Sequence, residues 1–105
     1  GFKPGDSFPF GGHEIEIYPD GSAHLKESGK LAGSTMRICD GIRNLVERAG
    51  VPFDIALNAA TINPASLLGL NDHIGKLCAG YDADIVVLEE SYDVAQTYCK
   101  GVAQF

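Results

Sequence analysis

Hydrophobic and polar residues alternate early in the chain. Over residues 13–18, Ile15 and Ile17 fall on one face of an extended segment and polar residues fall on the other. Alternation with a period of two is typical of a half-buried strand. Turn-forming residues follow at 19–21, and the alternation resumes over residues 23–25. The pattern therefore predicts a β-hairpin.

After residue 35 the apolar residues take up helical spacing. They recur every three or four positions, as expected for one buried helix face, and Gly50 predicts the end of that helix. Pro52 predicts the start of a second helix that ends near Ala60. Asn63 predicts the cap of a third, shorter helix that ends at Gly69. Helices this short need a larger surface to pack against.

The remaining segments are predicted to be strands and loops. Residues 84–88 and 94–99 have the composition of strands, and a turn after residue 99 predicts a last strand over residues 102–105. Residues 1–12, with their glycines and prolines, are predicted to form a loop. The fold class is therefore α+β, with a β-hairpin, two to three short helices and C-terminal β-strands.

Residues 29–36 join the hairpin to the first helix and are the candidate ligand segment. Leu31, Ala32 and Gly33 place little side chain between the backbone and a ligand, and Gly33 can adopt a positive φ. Ser34 or Thr35 is expected to cap the helix. A plain loop that ends in a helix cap explains the same residues.

The length and the net charge of the chain limit the functions that it can have. The chain has 105 residues, which suffices for one small domain but not for the ~250 residues of a complete (β/α) barrel. Its 8 basic and 14 acidic residues give a net charge of −6, which argues against nucleic acid and membrane surfaces as partners. No apolar run approaches the ~20 residues of a membrane span and no signal peptide is evident, so we expect a cytoplasmic location.

Several polar residues invite a catalytic or metal-binding interpretation that their setting disfavours. His13 and His24 lie on the polar side of the hairpin, without a surrounding ligand set. Asp6 lies among turn-forming residues after Gly5, and Asp82 and Asp84 lie at the start of a predicted strand after Gly80, where a carboxylate typically caps a turn. We therefore predict no catalytic residue and no metal ligand in this chain. The three cysteines, Cys39, Cys78 and Cys99, are expected to be reduced and packed.

Four segments together resemble N-acetylglucosamine-6-phosphate deacetylases of the amidohydrolase superfamily. They occur in the order and spacing of that family, and the pairing of Leu-Ala-Gly-Ser with Arg-Asn-Leu-Val is the most specific feature. The closing Gly-x-x-Ala-Asp segment marks only the superfamily. The matching segments are residues 30–36, 43–47, 59–65 and 80–88.

The resemblance implies that the chain is the C-terminal part of a (β/α)8 barrel enzyme with a small β-sandwich domain. Residues 1–70 would be the end of the barrel domain, and residues 71–105 would be strands of the small β domain. The implied reaction is hydrolysis of N-acetylglucosamine 6-phosphate to glucosamine 6-phosphate and acetate. The enzyme would use a divalent metal, zinc or iron. The ligands of that metal and a catalytic aspartate would lie before Gly1, so the isolated chain is expected to be inactive.

By the same resemblance, Leu31, Ala32 and Gly33 would contact the bound sugar phosphate. Arg43 would be a solvated or interdomain helix residue and not a phosphate ligand. The implied partners are the remainder of the enzyme and a second copy in a homo-oligomer. Two alternatives stay open: a non-catalytic binding or assembly module, and a fragment of another amidohydrolase such as a cyclic-amide hydrolase or a deaminase.

Overall fold

The computed structural model describes residues 2–104, in two compact units. The units are Gly1–Met36 and Arg37–Phe105, and each is described here by itself. The expected position of Gly1 after a catalytic aspartate, and the last residue of the strand predicted at 102–105, lie outside the described residues.

The first unit is a four-stranded antiparallel sheet whose strands are neighbours in chain order. The strands are β1 (Ser7–Phe10), β2 (His13–Ile17), β3 (Ser22–Leu25) and β4 (Leu31–Ser34). The hairpin predicted from the alternation is confirmed as β2 and β3. The prediction that the first twelve residues form only a loop is wrong, because β1 pairs with β2 along its whole length.

The core of this sheet consists of the apolar residues that alternate along β2 and β3. Ile15, Ile17 and Ala23 are buried, and Ile17 has only 2% of its surface exposed. Phe8 and Leu25 are partly buried and pack against them. Phe8 explains why β1 joins the sheet: its ring brings apolar surface to a core that the hairpin alone would leave open.

The prediction of a loop between the hairpin and the first helix is wrong for the centre of that segment. Residues 31–34 form β4 and pair with β3. Gly33 does not have the positive φ that its freedom would permit. Backbone hydrogen bonding to a neighbouring strand therefore outweighs the low strand preference of the Ala-Gly pair.

The second unit begins with three helices, α1 (Ile38–Glu47), α2 (Phe53–Ala60) and α3 (Ile62–Leu67). The predicted end at Gly50 is confirmed by its left-handed backbone, with φ of 67°. The predicted caps are wrong. Arg37 is the N-cap of α1, in place of Ser34 or Thr35, and Thr61 is the N-cap of α3, in place of Asn63. The Thr35 hydroxyl instead donates to a carbonyl within the first unit.

A three-stranded antiparallel sheet follows the helices. Its strands are β5 (Ile85–Leu88), β6 (Val94–Cys99) and β7 (Val102–Ala103), in that order. The Asp84 carboxylate accepts a hydrogen bond of 2.8 Å from the backbone N–H of Lys100, as expected of a capping carboxylate. The α+β fold class is confirmed. The division into a barrel end at 1–70 and a small β domain at 71–105 stays a prediction.

The cysteines do not share one environment. Cys39 is buried on α1, as predicted, whereas Cys78 and Cys99 are exposed and the prediction of packing is wrong for them. All three are free thiols.

Among the residues that the structure describes, no helix has the length and apolar character to cross a membrane.

The buried face of β2 predicts a specific loss of stability. Ile17→Ala removes apolar volume from the core, so we expect the 105-residue chain to lose about 2–4 kcal/mol of unfolding free energy. Urea unfolding followed by circular dichroism measures this loss. Ile38→Ala is the matched control, because 70% of Ile38 is exposed. Equal losses in the two variants would contradict the assigned core.

Candidate functional site

The segment predicted to meet a ligand is the exposed edge strand of the first sheet. All four residues of β4 are exposed, and 70% of the Leu31 side chain is accessible. In the described sheet β4 has a neighbour on one side only, which is β3. The side chains of Leu31 and Ala32 and the backbone of Gly33 can therefore contact another molecule.

A bulge interrupts the pairing of β4 with β3. Gly33 lies opposite Ala23 and Leu31 lies opposite His24, so Ala32 is the extra residue on β4. A bulge of this kind leaves one residue outside the ladder and bends the strand, and bulges are common beside active sites. It redirects the strand at the centre of the candidate ligand segment.

The start of β4 is held by His24. Its Nδ1 lies 2.8 Å from the carbonyl oxygen of Gly29. Because a carbonyl oxygen can only accept a hydrogen bond, Nδ1 carries the proton and donates it. Gly29 itself turns sharply, with φ of 67°, and its N–H donates to the Leu25 carbonyl oxygen at 2.7 Å. These contacts set the point from which the strand leaves the turn.

The His24 ring is held on two further sides. It stacks on the Tyr18 ring, with the ring centroids 3.9 Å apart. Its Nε2 lies 2.8 Å from the Ser22 hydroxyl, whose single proton is donated either to this nitrogen or to the Asp20 carboxylate oxygen 2.5 Å away. The Ser22 side chain and backbone hydrogen bonds hold the pKa of Asp20 below its ordinary value. The ring orientation is therefore fixed from several directions.

The end of β4 is held by Thr35. Its hydroxyl donates a hydrogen bond of 2.5 Å to the carbonyl oxygen of Gly21, in the turn between β2 and β3. Between the two ends, Gly33 is open: a Cβ added there would have no heavy atom within 4 Å. Nothing described in the surrounding fold requires a glycine at this position.

Sequence reasoning treated His24 as an ordinary surface residue and Thr35 as a helix cap. The structure assigns both to the support of β4. One signal was available for His24: Ser22 and His24 are two residues apart on one predicted strand, which places their side chains on the same face, and Asp20 lies in the turn just before them. Thr35 had no comparable local signal, because its partner lies fourteen residues earlier in the chain.

Arg43 belongs to an ion-pair cluster within the second unit. Its Nε donates to the Ser91 carbonyl oxygen at 2.9 Å, and its guanidinium also lies 3.4 Å from Asp40 and 3.3 Å from Asp93. Arg37 pairs with the same two carboxylates. Arg43 is thus occupied in joining α1 to the turn between β5 and β6.

The cluster favours the ionised carboxylates. The Ser91 hydroxyl and the two guanidinium groups hold the pKa of Asp93 below its ordinary value. The Arg37 hydrogen bond has the same effect on the pKa of Asp40. Because Arg37 and Asp93 are exposed and Asp40 and Arg43 are only partly buried, solvent screens these ion pairs and the cluster contributes only modestly to stability.

The residues that the structure describes do not form a metal centre among themselves. Among residues 2–104, no three His, Cys, Asp or Glu side chains lie close enough together to hold a metal ion. The two hairpin histidines are separate in their contacts: His24 is engaged by Gly29 and Ser22, and His13 lies at the exposed start of β2. Asp84 caps a turn, as described above.

Comparison with known proteins places the chain in a family. A family model described as the amidohydrolase family matches residues 17–103. The chain belongs to the amidohydrolase family. This amidohydrolase chain spans about a quarter of the length of several curated relatives and 58% of another, a putative N-acetylgalactosamine-6-phosphate deacetylase of Escherichia coli K12.

Two relatives show how similar the chain is to known deacetylases. The N-acetylglucosamine-6-phosphate deacetylase of Homo sapiens is 39% identical over 94 residues, which cover 87% of this amidohydrolase chain and 22% of the relative. The N-acetylgalactosamine-6-phosphate deacetylase of Escherichia coli O157:H7 is 33% identical over 98 residues, which cover 93% of this chain and 26% of the relative. The resemblance found in the sequence is confirmed.

The structural comparison agrees. A variant of the N-acetyl-D-glucosamine-6-phosphate deacetylase of Mycobacterium smegmatis, solved in complex with N-acetyl-D-glucosamine-6-phosphate, aligns with a TM-score of 0.72 and 32% identity. The alignment covers 92% of this chain and 26% of that protein. The α+β arrangement therefore occurs within a much larger member of the family.

The ion-pair cluster predicts a dependence of stability on pH. The folded-state pKa of Asp93 is lowered from 3.8, so its carboxylate stabilises the fold above that pH, and the contribution is lost as the pH falls through the lowered pKa. We expect Asp93→Asn to lower the melting temperature of the 105-residue chain by about 1–3 °C at neutral pH. The difference should shrink below roughly pH 4.

Asp82→Asn is the control, because Asp82 lies outside the cluster. Melting temperatures measured from pH 7 to pH 3 decide the outcome. A deficit of the Asp93→Asn variant that stays constant, or grows as the pH falls, would contradict the assigned interaction.

Proposed function

We propose that this chain is part of a metal-dependent deacetylase that hydrolyses N-acetylglucosamine 6-phosphate to glucosamine 6-phosphate and acetate. In that enzyme, Leu31, Ala32 and Gly33 form one wall of the substrate pocket. The role of the chain is to bind and orient the sugar phosphate, not to carry out the bond cleavage.

One structural observation carries this proposal. The exposed segment of β4 coincides with the Leu-Ala-Gly-Ser motif on which the resemblance to these deacetylases rests. The motif supplies an accessible leucine, a bulged alanine outside the regular ladder and a glycine with open space above it. Such a surface can contact the apolar face of a sugar ring through Leu31 and its polar groups through the backbone.

The division of labour follows from the residues that the chain provides. Its described side chains do not form a metal-binding set, so we assign the metal and the acid–base chemistry to the rest of the enzyme. We therefore expect the isolated chain to be inactive. Correct positioning of a substrate can still contribute strongly to rate, because small displacements of the reacting group are costly.

A second candidate substrate is N-acetylgalactosamine 6-phosphate. A relative named for that activity covers 93% of the chain at 33% identity, close to the values for relatives named for the glucosamine compound. The two sugars differ in the configuration of one hydroxyl group. Measuring kcat/KM for both epimers with the full-length protein assigns the preference.

The wider setting is part of the same proposal. We place the chain at the end of a (β/α)8 barrel domain and in a small β domain, within a cytoplasmic homo-oligomer that uses zinc or iron. The resemblance supports this setting. A non-catalytic binding module and a fragment of a different amidohydrolase are the alternatives, and absence of deacetylase activity from the full-length protein would favour them.

The open space above Gly33 allows the pocket role to be separated from folding. Gly33→Val fits an extended strand and meets no neighbour in this unit, so we expect the melting temperature of the full-length protein to be unchanged. The added side chain would occupy space needed by the sugar. We expect kcat/KM to fall roughly tenfold or more, equivalent to about 1.4 kcal/mol of transition-state binding.

Ala103→Val is the matched control, because it also adds branched bulk to an exposed edge strand. It should leave both kinetic constants unchanged. Unchanged kinetics in the Gly33→Val variant, measured by acetate release, would refute the pocket role of β4.

A further inference from the structure

The candidate substrate strand is supported from within its own sheet by side chains that do not belong to the Leu-Ala-Gly-Ser motif. β4 is an exposed edge strand with a bulge at its centre, so its backbone ladder alone specifies its path only weakly. Two side-chain hydrogen bonds hold its two ends, one from His24 and one from Thr35. They lie on opposite sides of Ala32, the bulged residue.

We propose that His24 and Thr35 are positioning residues that hold the bulged strand Leu31–Ser34 in the geometry that meets the substrate. This inference rests on the function proposed above, because it presumes that Leu31, Ala32 and Gly33 contact the sugar phosphate. Neither His24 nor Thr35 is assigned a contact with substrate. Each acts through the backbone carbonyl to which it donates.

The contact made by His24 determines where the strand begins. Its Nδ1 proton is donated to the Gly29 carbonyl oxygen, two residues before Leu31. The ring cannot easily turn away, because Tyr18 stacks on its face and Ser22 contacts its other nitrogen. Asp20 in turn holds the Ser22 hydroxyl. A chain of contacts thus runs from the turn of the hairpin to the first residues of the substrate strand.

The contact made by Thr35 determines where the strand ends. Its hydroxyl reaches back to the Gly21 carbonyl oxygen, in the same turn that contains Asp20. Both supports therefore connect β4 to the β2–β3 hairpin, Thr35 through its turn and His24 through β3. That hairpin contains the buried core of the sheet, so both contacts attach the exposed strand to well-packed backbone.

Paired substitutions in the full-length protein test the inference. Thr35→Val has nearly the same shape but removes the donor, whereas Thr35→Ser keeps the donor. His24→Phe keeps the aromatic stack on Tyr18 but cannot donate to Gly29. We expect Thr35→Val and His24→Phe each to raise KM by roughly three- to thirtyfold. Thr35→Ser should stay within about twofold of the unchanged protein.

His13→Phe is the matched control for His24→Phe, since His13 is a hairpin histidine without a contact to β4. Its KM should be unchanged. Melting temperature is measured for every variant, so that a general loss of fold is recognised. A raised KM with the melting temperature maintained, reversed by the serine variant, supports positioning. A structural role alone would lower the melting temperature without separating Thr35→Val from Thr35→Ser in KM.

The Gly33→Val variant distinguishes failure of this inference from failure of the pocket role. If Gly33→Val impairs catalysis but Thr35→Val and His24→Phe have the KM of the unchanged protein, the positioning inference is wrong and the pocket role stands. If Gly33→Val has no effect, the pocket role fails and the positioning inference fails with it. If Thr35→Val unfolds the protein, the comparison of His24→Phe with His13→Phe decides the question.

Discussion

The hydrogen bonds at the two ends of β4 are the constraint on which the candidate site depends. An exposed strand with one neighbour and a bulge has few ways to keep a single path. Here His24 holds its start and Thr35 holds its end. Burial of Ile15 and Ile17 stabilises the hairpin from which both contacts extend. The exposed motif therefore depends on the packing of the hairpin core and on the geometry of the turns beside it.

In the second unit, charged side chains connect the first helix to the sheet. Its α1 helix is joined to the β5–β6 turn mainly by charged groups, with Arg43 and Arg37 both directed at Asp93. Surface ion pairs of this kind give orientation more than stability. Many apolar side chains in this unit, such as Leu67 and Val102, remain exposed. If the proposed function is correct, such surface packs against the remainder of the deacetylase.

Sequence patterns predicted the elements that depend on local periodicity. The alternation around Ile15 and Ile17 found the hairpin and its core, and Gly50 marked the end of the first helix. Patterns could not find β1 or β4, because a Pro-containing segment and an Ala-Gly segment become strands only by pairing with a neighbour. The role of Thr35 was hidden for the same reason, since its partner Gly21 is adjacent only after folding.

Under the proposed function, residues 31–33 contact the sugar phosphate. Amide hydrogen exchange of the full-length protein, measured with and without N-acetylglucosamine 6-phosphate, tests it most directly. We expect substrate to slow exchange at Leu31, Ala32 and Gly33, while exchange in β7 is unaffected. Protection elsewhere in the protein, with exchange across β4 unchanged by substrate, would contradict it.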